Sequence, residues 1–439
     1  MKRNLTRYVA AMLSAPLAFA GLCIGCGGTG SVSPLPFFEP GTLNYRLGMN
    51  TYVLANQESA SEGFGSGAPY EQFSNAASAA REFGAGHMRS PADWQFWNQS
   101  VGDTSWVPTA AEYFGRRQRA LALRGMNSYV VCTTARGSVA WPTNEAGIES
   151  YCKNVVAIVN AYTSRLNSPA DVEIGNEVTN DSLWSSSGSR DAYVEIVRRT
   201  KQKLDASGFG ATRIWASSVS NGSGAVVSQV DFLNFCITSG IDGNVDGYVL
   251  NLYKGHTPNS YPEDNISDLQ SFLAATSKPV RIGEFGYHTL SWTSEEQTAL
   301  DLRAFLSILI GAGARADVRA ALYEIRDRGD GGNGWCDGAR TPGCVPIEGI
   351  GALPAEARFG LVTQSLQPKS GSGLWRRFFN ELGSFTFVSG GNVSGIDYEV
   401  NLIASDGRSA VVTWKRTLTS SDPGYAPSWV ITPAPRFGG

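Results

Sequence analysis

After residue 40 the chain repeats one alternation. A short run of β-branched or aromatic residues is followed by a turn rich in Gly, Asn and Ser, and then by a longer amphipathic stretch. The short runs predict strands at Tyr45–Tyr52, Gly86–Arg89, Asn127–Thr133, Asp171–Gly175, Arg213–Ser217, Gly247–Asn251, Pro279–Gly283 and Ala320–Ile325. Between them, apolar residues at three-to-four spacing predict helices at Tyr70–Phe83, Thr109–Arg124, Ile148–Leu166, Arg190–Ala206, Ser228–Ser239, Ile266–Thr276 and Ser294–Ala312, with an eighth at Gly373–Leu382. Tyr151, Val155, Ile158, Val159 and Tyr162 illustrate the spacing, because they fall on one helical stripe. Eight strands alternating with helices predict an α/β fold, a (β/α)8 TIM barrel. The rival is an open doubly wound sheet, which has fewer strands and often a phosphate-binding turn; no Gly-x-Gly-x-x-Gly follows the first strand.

From Gly383 the texture changes. Phe385–Val388, Tyr398–Ile403 and Ala410–Lys415 read as antiparallel strands separated by Gly, Ser and Asp turns. This tail is too short for an independent sandwich, so a short antiparallel β C-terminal extension packed on the barrel is expected. The organisation is then a signal peptide (1–25), a flexible linker (26–40), the barrel (41–382) and the β-rich extension (383–439).

The N-terminus carries Lys2, Arg3 and Arg7 ahead of an apolar stretch, Tyr8–Ile24, broken by Pro16. That stretch falls short of the roughly 20 residues a spanning helix needs and reads as an export signal. Two processing sites compete. Ala18-Phe19-Ala20 is a small-x-small cleavage site. Leu22-Cys23-Ile24-Gly25-Cys26 resembles a bacterial lipobox with Cys26 as the lipidated residue, although Leu22 sits one place too far upstream. The following Gly27-Gly28-Thr29-Gly30-Ser31 suits a tether. The expectation is a periplasmic or outer-membrane lipoprotein, alternatively a secreted protein, touching a membrane only through that anchor.

Formal charge is −3 and no basic block occurs, which argues against nucleic acid or an anionic membrane surface as a partner. Of seven cysteines, Cys336 and Cys344 share one Gly-rich loop and are expected to pair in an oxidising compartment. Cys132 and Cys152 either pair or remain thiols, and Cys236 reads as a small core residue. No cysteine spacing resembles a zinc site and only three histidines are present, so neither a metal nor an organic cofactor is expected.

Two strings carry the chemistry: Val172-Glu173-Ile174-Gly175-Asn176-Glu177 and Val280-Arg281-Ile282-Gly283-Glu284-Phe285-Gly286. Each is a strand running into a glutamate. Barrel enzymes place their chemistry at the C-terminal strand ends, and two carboxylates on one rim are what a retaining glycosidase needs. A salt bridge or a cap is the plain alternative for each.

The order of Asn-Glu after the fourth strand, an aromatic hydroxyl after the sixth and Glu after the seventh resembles clan A of the glycoside hydrolases, near families 39 and 5. The resemblance covers roughly Leu43–Leu382. Tyr323-Glu324-Ile325-Arg326-Asp327, then Arg358-Phe359-Gly360-Leu361-Val362 and Pro368-Lys369, also look like the end of such barrels.

The resemblance implies that Glu177 is the general acid/base and Glu284 the nucleophile. It matches Arg89 to the arginine that keeps such a nucleophile charged and Tyr253 to the tyrosine that donates to it. It gives Asn176 the sugar 2-hydroxyl. Two positions depart from the pattern: Asn251 stands where many members have His, and Tyr323 where many have Trp. Trp141 and Trp292 are the better aromatic candidates for a sugar platform, since a ring face covers the apolar face of a pyranose. His288, just past Glu284, is within reach of a substrate or is simply a loop histidine.

The expected function is an exported, monomeric retaining β-glycoside hydrolase acting on a polysaccharide or oligosaccharide glycan. A non-catalytic glycan-binding barrel and a transglycosylase are the alternatives.

Overall fold

Eight parallel strands close into a barrel in the computed structural model, in the order β1 (Leu47–Asn50), β2 (His87–Pro91), β3 (Asn127–Cys132), β4 (Asp171–Ile174), β5 (Arg213–Ser220), β6 (Gly247–Asn251), β7 (Val280–Phe285) and β8 (Arg319–Leu322). The structure describes residues 34–50, 67–91, 115, 117–132, 142–166, 171–179, 187–221, 227–255, 260–287, 292–325, 360–362 and 367–435. Closure is made by β8 against β1, with Leu47 opposite Ala320 and Met49 opposite Leu322. The eight strands stand where the short runs place them, because a strand buried on both faces needs a continuous apolar run rather than an alternating one.

The surrounding helices are α1 (Leu43–Arg46), α2 (Gly67–Glu82), α3 (Glu145–Leu166), α4 (Ser187–Ala206), α5 (Gln229–Thr238), α6 (Asn265–Ala275), α7 (Ser294–Ala312) and α8 (Ser372–Leu382). Residues 117–123 are also helical. Sequence chemistry sets their ends. Thr293 caps α7 by accepting from the Glu296 amide at 3.2 Å, while the Glu296 carboxylate accepts from the Thr293 amide at 2.7 Å. Ser228 does the same work for α5, accepting from Asp231 N at 3.1 Å. Among the described residues no helix is long and apolar enough to cross a membrane.

The large apolar core lies between the strands and the helices. Inside the barrel the filling is different. Tyr129, Trp215 and Val249 form a separate small cluster there. The Arg281 guanidinium lies over both rings, 4.4 Å from the Tyr129 centroid and 4.0 Å from that of Trp215, and pairs with Asp171. His87 lies so close to β1 that a Cβ on Gly48 would sit 2.1 Å from its Nε2, so only glycine fits there.

The extension is a four-stranded antiparallel sheet, β12-β11-β10-β9, made of β9 (Thr386–Ser394), β10 (Asp397–Ile403), β11 (Ser409–Lys415) and β12 (Ser428–Thr432). Val400, Leu402, Ala410, Val412 and Trp414 are buried. β12 is the strand the pattern missed. It is a short edge strand bracketed by Pro427 and Pro433, where proline costs no ladder hydrogen bond. The sheet is bonded to the barrel's periphery. Trp414 Nε1 donates to Glu263 Oε1 at 2.7 Å, and Arg303 of α7 grips the same carboxylate at 2.8 and 2.9 Å. Arg416 pairs with Asp264 at 2.7 Å.

Cys132, Cys152 and Cys236 are buried and none is in a disulfide, so the Cys132–Cys152 bridge is absent. Cys152 instead donates to the Ile196 carbonyl and accepts from Thr200. Cys26, Cys336 and Cys344 lie outside the described residues.

Candidate active site

The site starts from the turn that ends β4. Gly175 takes the left-handed conformation at φ 93°, and Glu177 follows at φ 47°, the one non-glycine with positive φ among the described residues. Such a conformation costs about 1–3 kcal/mol and persists only where neighbours enforce it. They do so here. Gly175 N donates to the Cys132 carbonyl of β3 at 2.9 Å. Tyr193 of α4 donates to the Ile174 carbonyl at 3.2 Å and accepts from Ser217 N of β5 at 2.8 Å. Asn251, at the end of β6, donates from Nδ2 to Glu177 Oε1 at 3.0 Å. The reversal turns the Glu177 carboxylate onto the barrel's C-terminal rim.

Glu284 reaches the same rim from β7. Asn251 is its register partner across the β6–β7 ladder, and an irregularity between Ile282 and Phe285 in the pairing with β8 re-aims the strand end. Arg89 of β2 donates from Nη1 to Glu284 Oε1 at 2.6 Å, and Tyr253 donates to Oε2 at 2.7 Å. Arg89 also donates from Nη2 to Asn176 Oδ1 at 2.8 Å. One guanidinium thus touches Glu284 and the residue that precedes Glu177. Gly283 makes room for it: a Cβ there would stand 3.2 Å from Arg89 Nε and 2.9 Å from Asn251 Oδ1.

A third carboxylate, Glu173, lies below. It is fully buried in β4 and accepts from Arg89 Nε at 2.9 Å and Nη2 at 3.1 Å, a side-on fork. Burial alone would lower the basicity of Arg89, but the charges of Glu173 and Glu284 outweigh it and hold the guanidinium well above its ordinary range. Burial, reinforced by the Glu284 charge and by Tyr323 and Glu177, pushes the Tyr253 phenol well up, so it remains a donor. Tyr323, buried at the end of β8, donates its amide to the Phe285 carbonyl at 2.7 Å, and its peptide bond to Glu324 is cis.

The structure therefore brings Glu177, Glu284, Arg89, Asn176, Asn251, Tyr253 and Tyr323 to one rim. Asn251 has no exposed surface and spends its amide nitrogen on Glu177, so its place is behind the acid rather than against a ligand. Trp292 is half-buried, its ring edge-to-face with Tyr287 at 5.5 Å, and Tyr287 bonds the Lys254 carbonyl two residues after Leu252. Trp141 and His288 lie outside the described residues. Two site residues were not singled out in advance. Glu173 is an acid in the middle of an apolar strand, a signal open to reading. Asn221 accepts from Tyr253 N at 2.7 Å and nothing in its local sequence marks it.

No protein-family model matches the chain, and no curated protein matches it. Solved structures do. A family 39 glycoside hydrolase from the gut symbiont Bacteroides cellulosilyticus WH2 superposes with TM-score 0.58 at 13% identity, covering 85% of this chain and 71% of that one. A family 5, subfamily 18 enzyme from Streptomyces cattleya, solved in complex with GlcNAc, gives TM-score 0.57 at 13% identity over 80% and 83%. An endo-beta-1,6-glucanase gives 0.54 at 13% identity over 92% and 91%. At such identity the likeness is one of fold: this chain has the eight-stranded barrel found in clan A glycoside hydrolases.

Proposed function

We infer that the protein is an exported retaining β-glycoside hydrolase acting on a glycan. The observation that carries this reading is the meeting on one rim of Glu177 at the end of β4, bonded by Asn251, and Glu284 at the end of β7, bonded by Arg89 and Tyr253, with Asn251 the register partner of Glu284 and Arg89 also bonded to Asn176. Fold likeness to hydrolases of families 39 and 5 supports it.

A Glu284 oxygen forms a bond to the anomeric carbon as the glycosidic C–O bond breaks. The bonding pair goes to the leaving oxygen, which takes the Glu177 proton. Water then attacks the same carbon, gives its proton to Glu177 and frees Glu284. The donors on Glu284 serve both steps. Arg89 and Tyr253 orient the carboxylate for attack, and they stabilise the charge it regains when the ester breaks. Asn251 holds the Glu177 carboxyl while its left-handed backbone sets the approach. Arg89 bonds Asn176 Oδ1 at 2.8 Å, which fixes that side chain on the rim beside Glu177, where the sugar 2-hydroxyl would lie.

The test compares Glu284→Gln and Glu177→Gln on a panel of β-glucans, mannans and xylans and on dinitrophenyl glycosides. Loss of Glu284 abolishes turnover of both substrate classes. Loss of Glu177 spares the dinitrophenyl glycosides by comparison, because their leaving group hardly needs a proton. Equal, mild losses in both variants would contradict the assignment. Binding of glycans without turnover by the unaltered protein would favour a retired barrel.

A further inference from the structure

The Arg89 guanidinium is only 1% exposed and meets two carboxylates from two strands, Glu173 of β4 and Glu284 of β7. One positive charge against two negative ones is more than neutrality needs. A buried ion pair is also a poor source of stability, since well-packed apolar residues of the same volume usually do as well. The second carboxylate therefore calls for another reason.

The reason lies in what the double displacement does to charge, and the argument rests on the reading above. While Glu284 is an ester it is neutral. Were Glu284 the sole carboxylate on Arg89, its esterification would leave a buried cation without its anion, an arrangement far costlier than the pair it replaces. Glu173 does not react. It holds Arg89 by the Nε and Nη2 edge, at 2.9 and 3.1 Å, and leaves Nη1 for Glu284 at 2.6 Å. Tyr129 of β3 is buried close enough to Glu173 to feel its charge, and Arg281 of β7 lies over the Tyr129 ring. Tyr253 faces the same cluster from the end of β6.

We propose that Glu173 is a positioning residue, the permanent counter-ion that keeps Arg89 paired and in place while Glu284 is esterified. In the free protein the three groups carry one net negative charge, which suits an oxocarbenium-like transition state. In the glycosyl-enzyme they are neutral. Without Glu173 that intermediate would lie higher in energy, which hinders its formation and not its breakdown.

Two measurements test this, one of them independent of catalysis. The first is a double-mutant cycle in urea. Glu284→Gln mimics the neutral ester, and Glu173→Gln removes the spectator charge. Each single variant leaves Arg89 one of these two carboxylates, whereas the double variant removes both. The double variant should lower the folding equilibrium constant about 100-fold or more beyond the product of the single effects. Additive effects would overturn the proposal whether or not the protein hydrolyses glycosides.

The second measurement uses 2-deoxy-2-fluoro glycosyl fluorides followed by intact mass. Glu173→Gln should slow formation of the trapped ester about 100-fold without slowing its subsequent hydrolysis. A loss of packing alone would slow both steps, and that result overturns the proposal. Trp414→Phe, in the appended sheet, controls for destabilisation and should trap at the rate of the unaltered protein. Failure of the unaltered protein to be labelled by any member of the panel would refute the hydrolase reading, and the cycle in urea would still decide the role of Glu173.

Discussion

Lowering the pH from 7 to 4 should destabilise the protein through His87, and the size of the effect follows from its surroundings. The imidazole is 2% exposed, packed against Gly48 of β1, and its Nδ1 has no hydrogen-bond partner among the described residues. Burial, with a smaller contribution from the Arg281 charge, lowers its pKa from 6.5 to about 3. An unfolded chain protonates His87 as the pH falls through 6.5, whereas the folded chain resists until about pH 3. Between these values the unfolded state binds more protons. The contribution of His87 is thus complete above pH 6.5 and declines as the pH falls toward the folded value.

At about 1.4 kcal/mol per unit the loss reaches roughly 3 kcal/mol by pH 4. Urea unfolding of the unaltered protein and His87→Gln at both pH values isolates the effect, since every other titrating group is common to both proteins. The variant should lose roughly 3 kcal/mol less than the parent over that interval. Equal losses, within about 0.5 kcal/mol, would refute the reasoning.

Asn251→Ala should reduce glycan hydrolysis roughly 10- to 100-fold by freeing the Glu177 carboxyl, with a smaller effect on dinitrophenyl glycosides; equal losses on both would place Asn251 elsewhere in the mechanism. Gly283→Ala puts a methyl 2.7 Å from Val249 Cγ1 and 2.9 Å from Asn251 Oδ1, so it should cost about 1–3 kcal/mol in urea unfolding and shift Arg89 in a crystal structure. Arg303→Met or Glu263→Gln alone breaks an ion pair whose two side chains are fully buried and should cost about 3–5 kcal/mol, while the double variant should cost far less than the two together. Additive costs in that cycle would mean the pair does not tie the appended sheet to α7.

The hydrophobic pattern by itself was enough for the barrel. Strand runs such as Val172–Ile174 and Val280–Phe285, each bounded by a turn and followed by an amphipathic helix, are local signals, and eight of them in series leave few ways to bury every apolar face. The same locality placed Glu177 and Glu284 at strand ends. It did not reveal β12, an edge strand between prolines, nor whether Cys132 and Cys152 were bonded, since a bridge depends on where a strand and a helix come to lie.

Barrel closure alone decided who meets whom inside. Arg89, Glu173 and Glu284 come from the second, fourth and seventh strands, and no spacing along the chain foretells that one guanidinium will lie between two of their carboxylates. Nor does any local pattern say that Asn251 would face Glu177, or that Gly283 would be the gap Arg89 occupies. Sequence sets which face of each strand is apolar and which residues end it. The register and shear of eight strands closed on themselves set the distances, and the chemistry of the site is a matter of distances.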